Sequence, residues 1–299
     1  MKVWLNGALC EAADARVSAL DRGLLYGDGL FESLRCFAGQ PFLLGQHLER
    51  LAAAAAELEL DLDLPPRKVL EEAVGALLAA NGLARADARV RVTVTRGAGG
   101  EGLWPRDAPA PTVLITAEPV ALPPWLEAGG GASAVTSAHR VASGRAHAKS
   151  TSFQVHVLAK REAARAGAWE AILRNDRGDV AEGATSNVFV LAHDGALATP
   201  PPEAGILLGL TRAVVLRIVQ PTLCMDAREA PLPLEELRDA REAFLTSSVA
   251  GIVPLVKLDG RAIGDGAPGP VTRAARSAYA QEVQRSFGNG NSKRSDSVM

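Results

Sequence analysis

A segment rich in proline and glycine, PVALPPWLEAGGG at residues 119–131, divides the sequence into two parts. On both sides of it, segments with alternating or clustered β-branched residues lie beside amphipathic segments with helical spacing. Such a segment is typical of a connector between domains, and 299 residues are enough for two domains. The sequence therefore predicts a two-domain α/β (α+β) protein, with an N-terminal domain over residues 1–120 and a C-terminal domain over residues 121–287.

Local patterns predict individual elements within this plan. KVWLNGALCE is typical of a β-hairpin because Asn6-Gly7 tolerates positive φ angles. Helical spacing predicts helices at residues 45–60, in RKVLEEAVGALLAANG and in SFQVHVLAKREAARAGA, and β-branched residues predict strands in VRVTVTRG and TVLITAEP. LTRAVVLRIVQ predicts a helix that we expect to end at Pro221. The final GNGNSKRSDSVM, residues 288–299, is polar and aperiodic, which predicts a mobile tail.

The charge balance excludes several kinds of partner. With a formal net charge of −2, the chain has no field of one sign to attract nucleic acid or an anionic membrane. The sequence has neither a signal-peptide pattern nor an apolar run near the roughly 20 residues that span a bilayer. Cys10, Cys36 and Cys224 lie far apart without metal-ligand spacing, so we expect free thiols and no metal. These features favour a cytoplasmic protein with a small-molecule partner.

Among six lysines, only Lys149 has an unusual setting. The other five lie at the chain ends, on charged helix faces or beside a turn; they are Lys2, Lys68, Lys160, Lys257 and Lys293. Lys149 lies among small residues in HAKSTSF, at the expected start of a helix, where the partial positive charge lowers the pKa of an amine. On this observation alone, an ordinary surface charge stays the more frequent interpretation of a single lysine.

Six motifs occur in order over residues 3–280. They are DRGLLYGDGLFESLR, HLERL, AK followed by VLAKREA, EGATSNVFV, GLTRAVVL, and FLTSSVAGIVP with DGRAIGDGAPGPVTR. In order and spacing they resemble the class IV (fold type IV) PLP-dependent aminotransferases, which include branched-chain and D-amino-acid aminotransferases and aminodeoxychorismate lyase. The resemblance implies a D-amino-acid aminotransferase-like fold, with a smaller N-terminal α/β domain and a larger C-terminal β-barrel-like domain with helices. It also implies a homodimer that binds pyridoxal 5'-phosphate (PLP).

The resemblance assigns a role to particular residues. Lys149 would hold PLP as a Schiff base and then move a proton, and Glu182 would pair with the pyridine nitrogen. The remaining cofactor contacts that it implies, for the phosphate and the ring, are Arg50, Asn187, Leu210, Thr211 and Ser248. Each of these polar residues also has an ordinary interpretation, as a helix surface charge, a helix cap or a turn-stabilising group.

The expected substrate pocket follows the GDG segment at residues 27–29. This segment lacks both the GxGxxG pattern and a Walker lysine, so it predicts a tight turn rather than a nucleotide loop. The pocket residues implied by the family are Phe31, Arg35, Glu101, Leu103, Ser247 and Val249. Phe31 is equally typical of a core aromatic.

Three functions fit these residues. The first is transamination between an amino acid, branched-chain-like or otherwise apolar, and a 2-oxo acid, although Gln154 replaces a tyrosine of the branched-chain enzymes. The second is aminodeoxychorismate lyase activity, because TRGAGGEGLWP resembles the lyase loop, although Glu101 replaces its basic residue. The third is a non-catalytic ligand-binding protein. D-amino-acid specificity is disfavoured, because Phe31 replaces a tyrosine and the loop lacks the arginine and histidine of that type.

Overall fold

The computed structural model describes residues 1–60, 64–99, 102–104, 110–144 and 147–292, with side chains described up to residue 288. The chain forms two compact units. Unit 1 comprises Met1–Ala121 and Ala148–Phe153, and unit 2 comprises Leu122–His147 and the chain from Gln154 onward. The two contiguous domains expected from the sequence therefore need one correction, because Ala148–Phe153 belong to unit 1. These residues bond to the start of a unit 1 strand, through Phe31 N–H to Lys149 O at 2.9 Å and Thr151 N–H to Gly29 O at 2.8 Å.

Unit 1 is a six-stranded antiparallel sheet with helices on one face. In chain order its elements are β1 (Lys2–Leu5), β2 (Ala8–Glu11), α1 (Arg22–Tyr26), β3 (Gly29–Phe37), β4 (Gln40–Pro41), α2 (Leu44–Glu57), α3 (Arg67–Ala80), β5 (Ala88–Thr95) and β6 (Thr112–Pro119). The strand order is β2-β1-β6-β5-β3-β4. Asn6 and Gly7 have φ angles of 47° and 99°, which confirms the predicted hairpin turn between β1 and β2.

Alternation along β3 and β5 separates the two faces of this sheet. Val90, Val92 and Val94 of β5 are fully buried in one core with α2 and α3. Residues of opposite phase on β5, such as Arg89 and Arg91, therefore lie on the face away from these helices. The sheet thus presents an apolar face to the helices and a face with charged and polar residues on the other side.

Unit 2 contains a nine-stranded mixed sheet that curls strongly. Its strands are β7 (Ala132–Val141), β8 (Glu170–Asn175), β9 (Val180–Gly183), β10 (Asn187–Leu191), β11 (Leu197–Thr199), β12 (Ala227–Glu229), β13 (Ala243–Ser247), β14 (Gly251–Leu258) and β15 (Arg261–Ala262). The order is β12-β11-β10-β13-β14-β7-β8-β9, with β15 paired to β14. The pairs β11–β12, β14–β7 and β7–β8 are parallel, and the others are antiparallel.

The helices of unit 2 are α4 (Pro124–Glu127), α5 (Gln154–Arg165), α6 (Leu210–Leu223), α7 (Leu234–Arg238) and α8 (Pro270–Ser292), with a 3₁₀ turn at Pro202–Ala204. Two sequence expectations were wrong at helix ends. Helix α6 continues past Pro221 because the proline lies in the last turn, and the bond from Cys224 N–H to Gln220 O closes the helix. Helix α8 continues to Ser292, into the expected tail, whose residues 293–299 lie outside the described part of the chain.

Among the described residues, no helix is both long enough and apolar enough to cross a lipid bilayer.

Candidate active site

Lys149 lies beside two aromatic rings of unit 1. Its Nζ is 4.7 Å from the centroid of the Phe31 ring and 5.2 Å from that of Phe153. The two rings meet edge to face with their centroids 5.3 Å apart. Because Phe31 is buried, this pair provides an apolar wall beside the amine. The short segment containing Lys149 is fixed by its backbone bonds to the start of β3.

Strand β3 also carries a buried ionic cluster on its other face. Arg50 of α2 donates from Nε and Nη2 to the two oxygens of Glu32, at 2.7 and 2.6 Å. His47 Nδ1 lies 2.7 Å from Glu32 Oε2. Burial alone would raise the pKa of Glu32, but hydrogen bonds from His47 and Arg50 lower it to about 2. Burial lowers the pKa of His47, so this ring is neutral near pH 7.

Arg91 lies on the same face of the sheet as Phe31. Its guanidinium carbon is 3.7 Å from the centroid of the Phe31 ring, and its Nε donates to Thr93 Oγ1 at 3.1 Å. No carboxylate of the described residues forms an ion pair with Arg91. A positive charge is therefore held beside the ring that also faces Lys149.

The structure does not bring Arg35 to this place. It lies four residues after Phe31 on β3, roughly 13 Å further along the strand, and its guanidinium pairs with Asp87. That Arg35 lines a substrate pocket stays a prediction. Leu103 is 87% exposed, and Glu101 lies outside the described residues.

In unit 2, Glu182 at the end of β9 accepts hydrogen bonds on both carboxylate oxygens. Its Oε1 lies 2.8 Å from His147 Nε2 and 3.3 Å from His156 Nε2. Its Oε2 accepts from Asn187 Nδ2 at 3.2 Å and from the Leu207 N–H at 2.9 Å. Burial would raise the pKa of Glu182, but the hydrogen bonds and charges of the two histidines lower it to about 2. The carboxylate is therefore ionised at neutral pH although it is buried.

Helix α6 begins close to this carboxylate. Asn187 donates to Leu207 O at 2.8 Å, and a Cβ added to Gly209 would lie 2.0 Å from Asn187 Oδ1. Only glycine therefore fits at the residue that caps α6. Leu210 and the buried Thr211 form the first turn, whose backbone N–H groups lack partners inside the helix. Leu210 follows Leu207 by three positions, so the chain allows at most about 11 Å between these two residues.

Ser247 ends β13, and Ser248 and Val249 follow it in the loop to β14. All three are half-buried, and Ser247 Oγ accepts from the Ala250 N–H at 3.1 Å. The hairpin register pairs Ser247 with Gly251, which leaves Ser248 and Val249 in the turn. Both residues are thus held at one end of the sheet.

The residues of each unit fit PLP. Unit 2 provides an ionised, buried carboxylate that suits a pyridinium, and a helix N-terminus nearby that suits a phosphate. Unit 1 provides a lysine beside an aromatic pair. These are the three chemical requirements of the cofactor: an amine for its aldehyde, an anion for its ring nitrogen and donors for its phosphate.

Known proteins share this fold and length. The structure matches branched-chain amino acid aminotransferase of Escherichia coli with a TM-score of 0.86 and 29% identity, covering 94% of this chain and 93% of that one. A Methanocaldococcus jannaschii protein, proposed to be a branched-chain-amino-acid aminotransferase, is 36% identical over 96% of this chain and 98% of its own. D-alanine aminotransferase of Bacillus licheniformis is 35% identical over 95% of this chain and 97% of its own.

Residues 29–258 match the model of the family described as amino-transferase class IV. The chain belongs to the class IV aminotransferases, as its motifs predicted, and has their two-domain mixed fold. A further solved branched-chain amino acid aminotransferase holds pyridoxamine 5'-phosphate (TM-score 0.85, 30% identity, 94% of this chain and 93% of that one). Another solved neighbour is 4-amino-4-deoxychorismate lyase of Pseudomonas aeruginosa (TM-score 0.78, 30% identity, 92% of this chain and 97% of that one).

Sequence reasoning missed several polar residues around the candidate site. Strand alternation could have identified both Glu32 and Arg91. Glu32 is a charged residue at a β3 position that faces the apolar core, and Arg91 lies on β5, on the same face of the sheet as Phe31. The contacts of His47, His147 and His156 could not have been found, because no spacing rule links them to Glu32 or Glu182.

We expect Glu32→Gln to lower the free energy of unfolding by an amount that depends on pH. The folded-state pKa of about 2 lies below the unfolded value of 4.5, so ionised Glu32 stabilises the fold above pH 4.5. This contribution, about 3 kcal/mol, is lost as the pH falls toward 2. Urea denaturation at several pH values should show a large difference between wild type and variant at pH 7 that shrinks below pH 4.

Glu71→Gln is the matched control, because Glu71 pairs with Arg67 in an exposed i,i+4 pair. It should change the unfolding free energy far less than Glu32→Gln does, because solvent screens an exposed ion pair. A constant difference between wild type and Glu32→Gln from pH 7 to pH 3 would contradict the proposed role of the ionised carboxylate.

Proposed function

We propose that this chain is a PLP-dependent aminotransferase that moves an amino group between an amino acid and a 2-oxo acid, with Lys149 holding the cofactor. The supporting observation is the ionised carboxylate of Glu182, buried and bound by four donors in a chain of the class IV aminotransferase family. A carboxylate is costly to hold ionised away from water, and in this state it suits the positive charge of a pyridinium ring. This supports catalysis over mere ligand binding.

When bound, PLP supplies an aldehyde that condenses with amines and a ring that accepts an electron pair from the substrate α-carbon. Lys149 Nζ is the amine proposed to hold the aldehyde and, once released by the substrate, to take and return the α-proton. Glu182 would keep a proton on the ring nitrogen. Phe31 and Phe153 would keep water from the Lys149 amine.

Most of the proposed contacts to the phosphate come from residues of unit 2. The first-turn N–H groups of α6 at Leu210 and Thr211, the Thr211 hydroxyl and the Ser248 hydroxyl suit a dianion. Arg50 is proposed to add a charge-assisted contact while Glu32 fixes the position of its guanidinium. Asn187 would act by orienting Glu182, since its amide nitrogen bonds to that carboxylate.

We expect Lys149→Ala to abolish both colour and turnover. The wild-type protein reconstituted with PLP should be yellow and should lose its visible band on borohydride reduction, since an amine of the protein holds the aldehyde. Loss of the catalytic base alone should lower kcat by roughly 10² to 10⁴-fold. Absorbance spectra and an aminotransferase assay measure the two effects.

Lys68→Ala is the control, because the Lys68 side chain is 86% exposed. It should retain colour and rate. A wild-type protein that stays colourless with added PLP would support a non-catalytic binding protein. A Lys149→Ala variant with unchanged colour and turnover would exclude Lys149 as the cofactor lysine.

We further propose that Arg91 binds a carboxylate of the substrate. A guanidinium held against Phe31, with no ion-pair partner among the described residues, suits an anionic group on a molecule that reaches Lys149. 2-Oxoglutarate carries a second carboxylate and is therefore the proposed acceptor, while the Phe31 and Phe153 rings suit an apolar amino acid as the donor. The amino-acid donor would thus contact the two aromatic rings, and the 2-oxo acid acceptor would pair with Arg91 beside Phe31.

Arg91→Leu should raise the KM for 2-oxoglutarate by about 10-fold or more, the value of one charge-assisted hydrogen bond. The KM for 4-methyl-2-oxopentanoate should change much less. Arg89→Leu is the control, since Arg89 lies on the same face but pairs with Glu118. Equal effects on both oxo acids would contradict this role, and formation of pyruvate and 4-aminobenzoate from aminodeoxychorismate would favour the lyase instead.

A homodimer is the proposed assembly. Exposed apolar residues gather where α1 meets residues 102–104: Leu20, Leu24, Leu25, Leu103 and Trp104. Arg22 joins these parts, because its buried side chain donates to Gly102 O at 2.9 Å and to Leu103 O at 3.0 Å. An apolar surface held in this way suits a second copy of the chain.

Leu24→Asp should convert the dimer to monomer, since it places a charge in this apolar surface. Sedimentation velocity measures the change. Val69→Asp, on the exposed side of α3, should leave the dimer intact. A wild-type protein that sediments as a monomer at micromolar concentration would contradict the proposed assembly.

A further inference from the structure

Three ligand-type atoms converge on one point in unit 2. His147 Nε2 and His156 Nε2 both approach Oε1 of Glu182, at 2.8 and 3.3 Å. All the ligand atoms of this trio lie within 4.8 Å of one another. The two rings are tilted by 53° with their centroids 5.4 Å apart, so they are not stacked. Both nitrogens therefore point at the same oxygen from different directions.

These distances suit a metal ion as well as hydrogen bonds. Ligand atoms bound about 2.0–2.1 Å from a tetrahedral zinc ion lie roughly 3.3 Å from each other. The two nitrogen–oxygen distances of 2.8 and 3.3 Å are close to that value. Two imidazoles with one carboxylate form a known catalytic type of zinc ligand set.

The surroundings of Glu182 resemble a second ligand shell. Its other oxygen, Oε2, is bound by Asn187 Nδ2 and the Leu207 N–H, so the carboxylate cannot turn away from the histidines. Outer partners of this kind orient ligating carboxylates in metal sites. The site also has an entrance, because the side chain of His147 is 27% exposed while those of His156 and Glu182 are 10% and 5% exposed.

We propose that in the cofactor-free chain His147, His156 and Glu182 bind one divalent transition-metal ion such as Zn²⁺, and that this ion and PLP exclude one another. Each imidazole would give the lone pair of Nε2, so its remaining proton lies on Nδ1, and a second ring proton would leave to solvent. Two neutral rings, one carboxylate and a divalent ion carry a net charge of +1. The fourth position is open to water.

The ligand types determine the selectivity. Imidazole nitrogens favour Zn²⁺, Co²⁺ and Ni²⁺, whereas Mg²⁺ and Ca²⁺ prefer oxygen ligands. The metal site itself does not depend on the proposed function. The mutual exclusion does, because it requires that PLP use Glu182. The consequence is an enzyme that metal ions inhibit by preventing cofactor loading.

The first experiment tests metal binding without PLP. The full-length chain, stripped of cofactor, is titrated with Co²⁺, which gives visible bands when bound by nitrogen ligands in a site of low coordination number. We expect one equivalent to bind, and His147→Gln and His156→Gln to weaken it by about 10-fold or more. His139→Gln and His193→Gln are controls, since these histidines lie outside the trio. No Co²⁺ binding, or equal binding by all four variants, would overturn the metal site.

The second experiment tests exclusion. Wild-type protein preloaded with one equivalent of Zn²⁺ should regain its visible PLP band more slowly than the metal-free protein, and a chelator should restore the rate. His147→Gln should show no Zn²⁺ effect, which corrects for chelation of Zn²⁺ by PLP itself. Co²⁺ binding with unchanged PLP loading would overturn the exclusion. If wild type never becomes yellow, the proposed function fails, and the Co²⁺ titration still decides the metal site.

Discussion

The buried negative charge of Glu182 is the feature on which the candidate site depends. A carboxylate away from water is costly unless each oxygen has partners, and here both oxygens have two. Its donors come from separate parts of unit 2: the loop after β7, α5, β10 and the segment before α6. The fold of unit 2 thus places four distant parts of the sequence around one anion. The N-terminus of α6 lies next to this anion because Leu207 and Asn187 connect the two.

The two faces of the unit 1 sheet carry different groups of residues. The face toward α2 and α3 carries an apolar core and, within it, Glu32, whose charge is balanced by Arg50 and which also contacts the neutral His47. The opposite face carries Phe31, whose ring contacts both the Arg91 guanidinium and the Lys149 amine. A shift of one residue in the register of β3 would move Glu32 to the face of Phe31 and Phe31 to the face of the helices. The pairing of β3 with β5 therefore fixes the position of both groups.

Much of this arrangement could be predicted from the sequence, and the rest could not for identifiable reasons. The hairpin at Asn6-Gly7 and helices α2, α3 and α5 follow from local turn chemistry and periodicity, which act over a few residues. Motif order was enough to identify the family, since Glu182 and Lys149 lie in recognisable segments. The contact of His156 with Glu182 spans 26 residues and depends on how α5 packs on the sheet, which no local pattern encodes. The helix end expected at Pro221 was wrong because the proline lies in the last helical turn, where the helix tolerates it.

The return of Ala148–Phe153 to unit 1 has a consequence for how this protein can be divided. The chain leaves unit 2 after His147 and re-enters it at Gln154, so a single cut between residues 121 and 122 cannot yield two complete modules. A fragment ending at Ala121 would lack the segment that bonds to Gly29 and Phe31, and with it the proposed cofactor lysine. Neither unit is one contiguous block of the sequence, so a protein comprising either unit alone would have to join two separate segments of the chain.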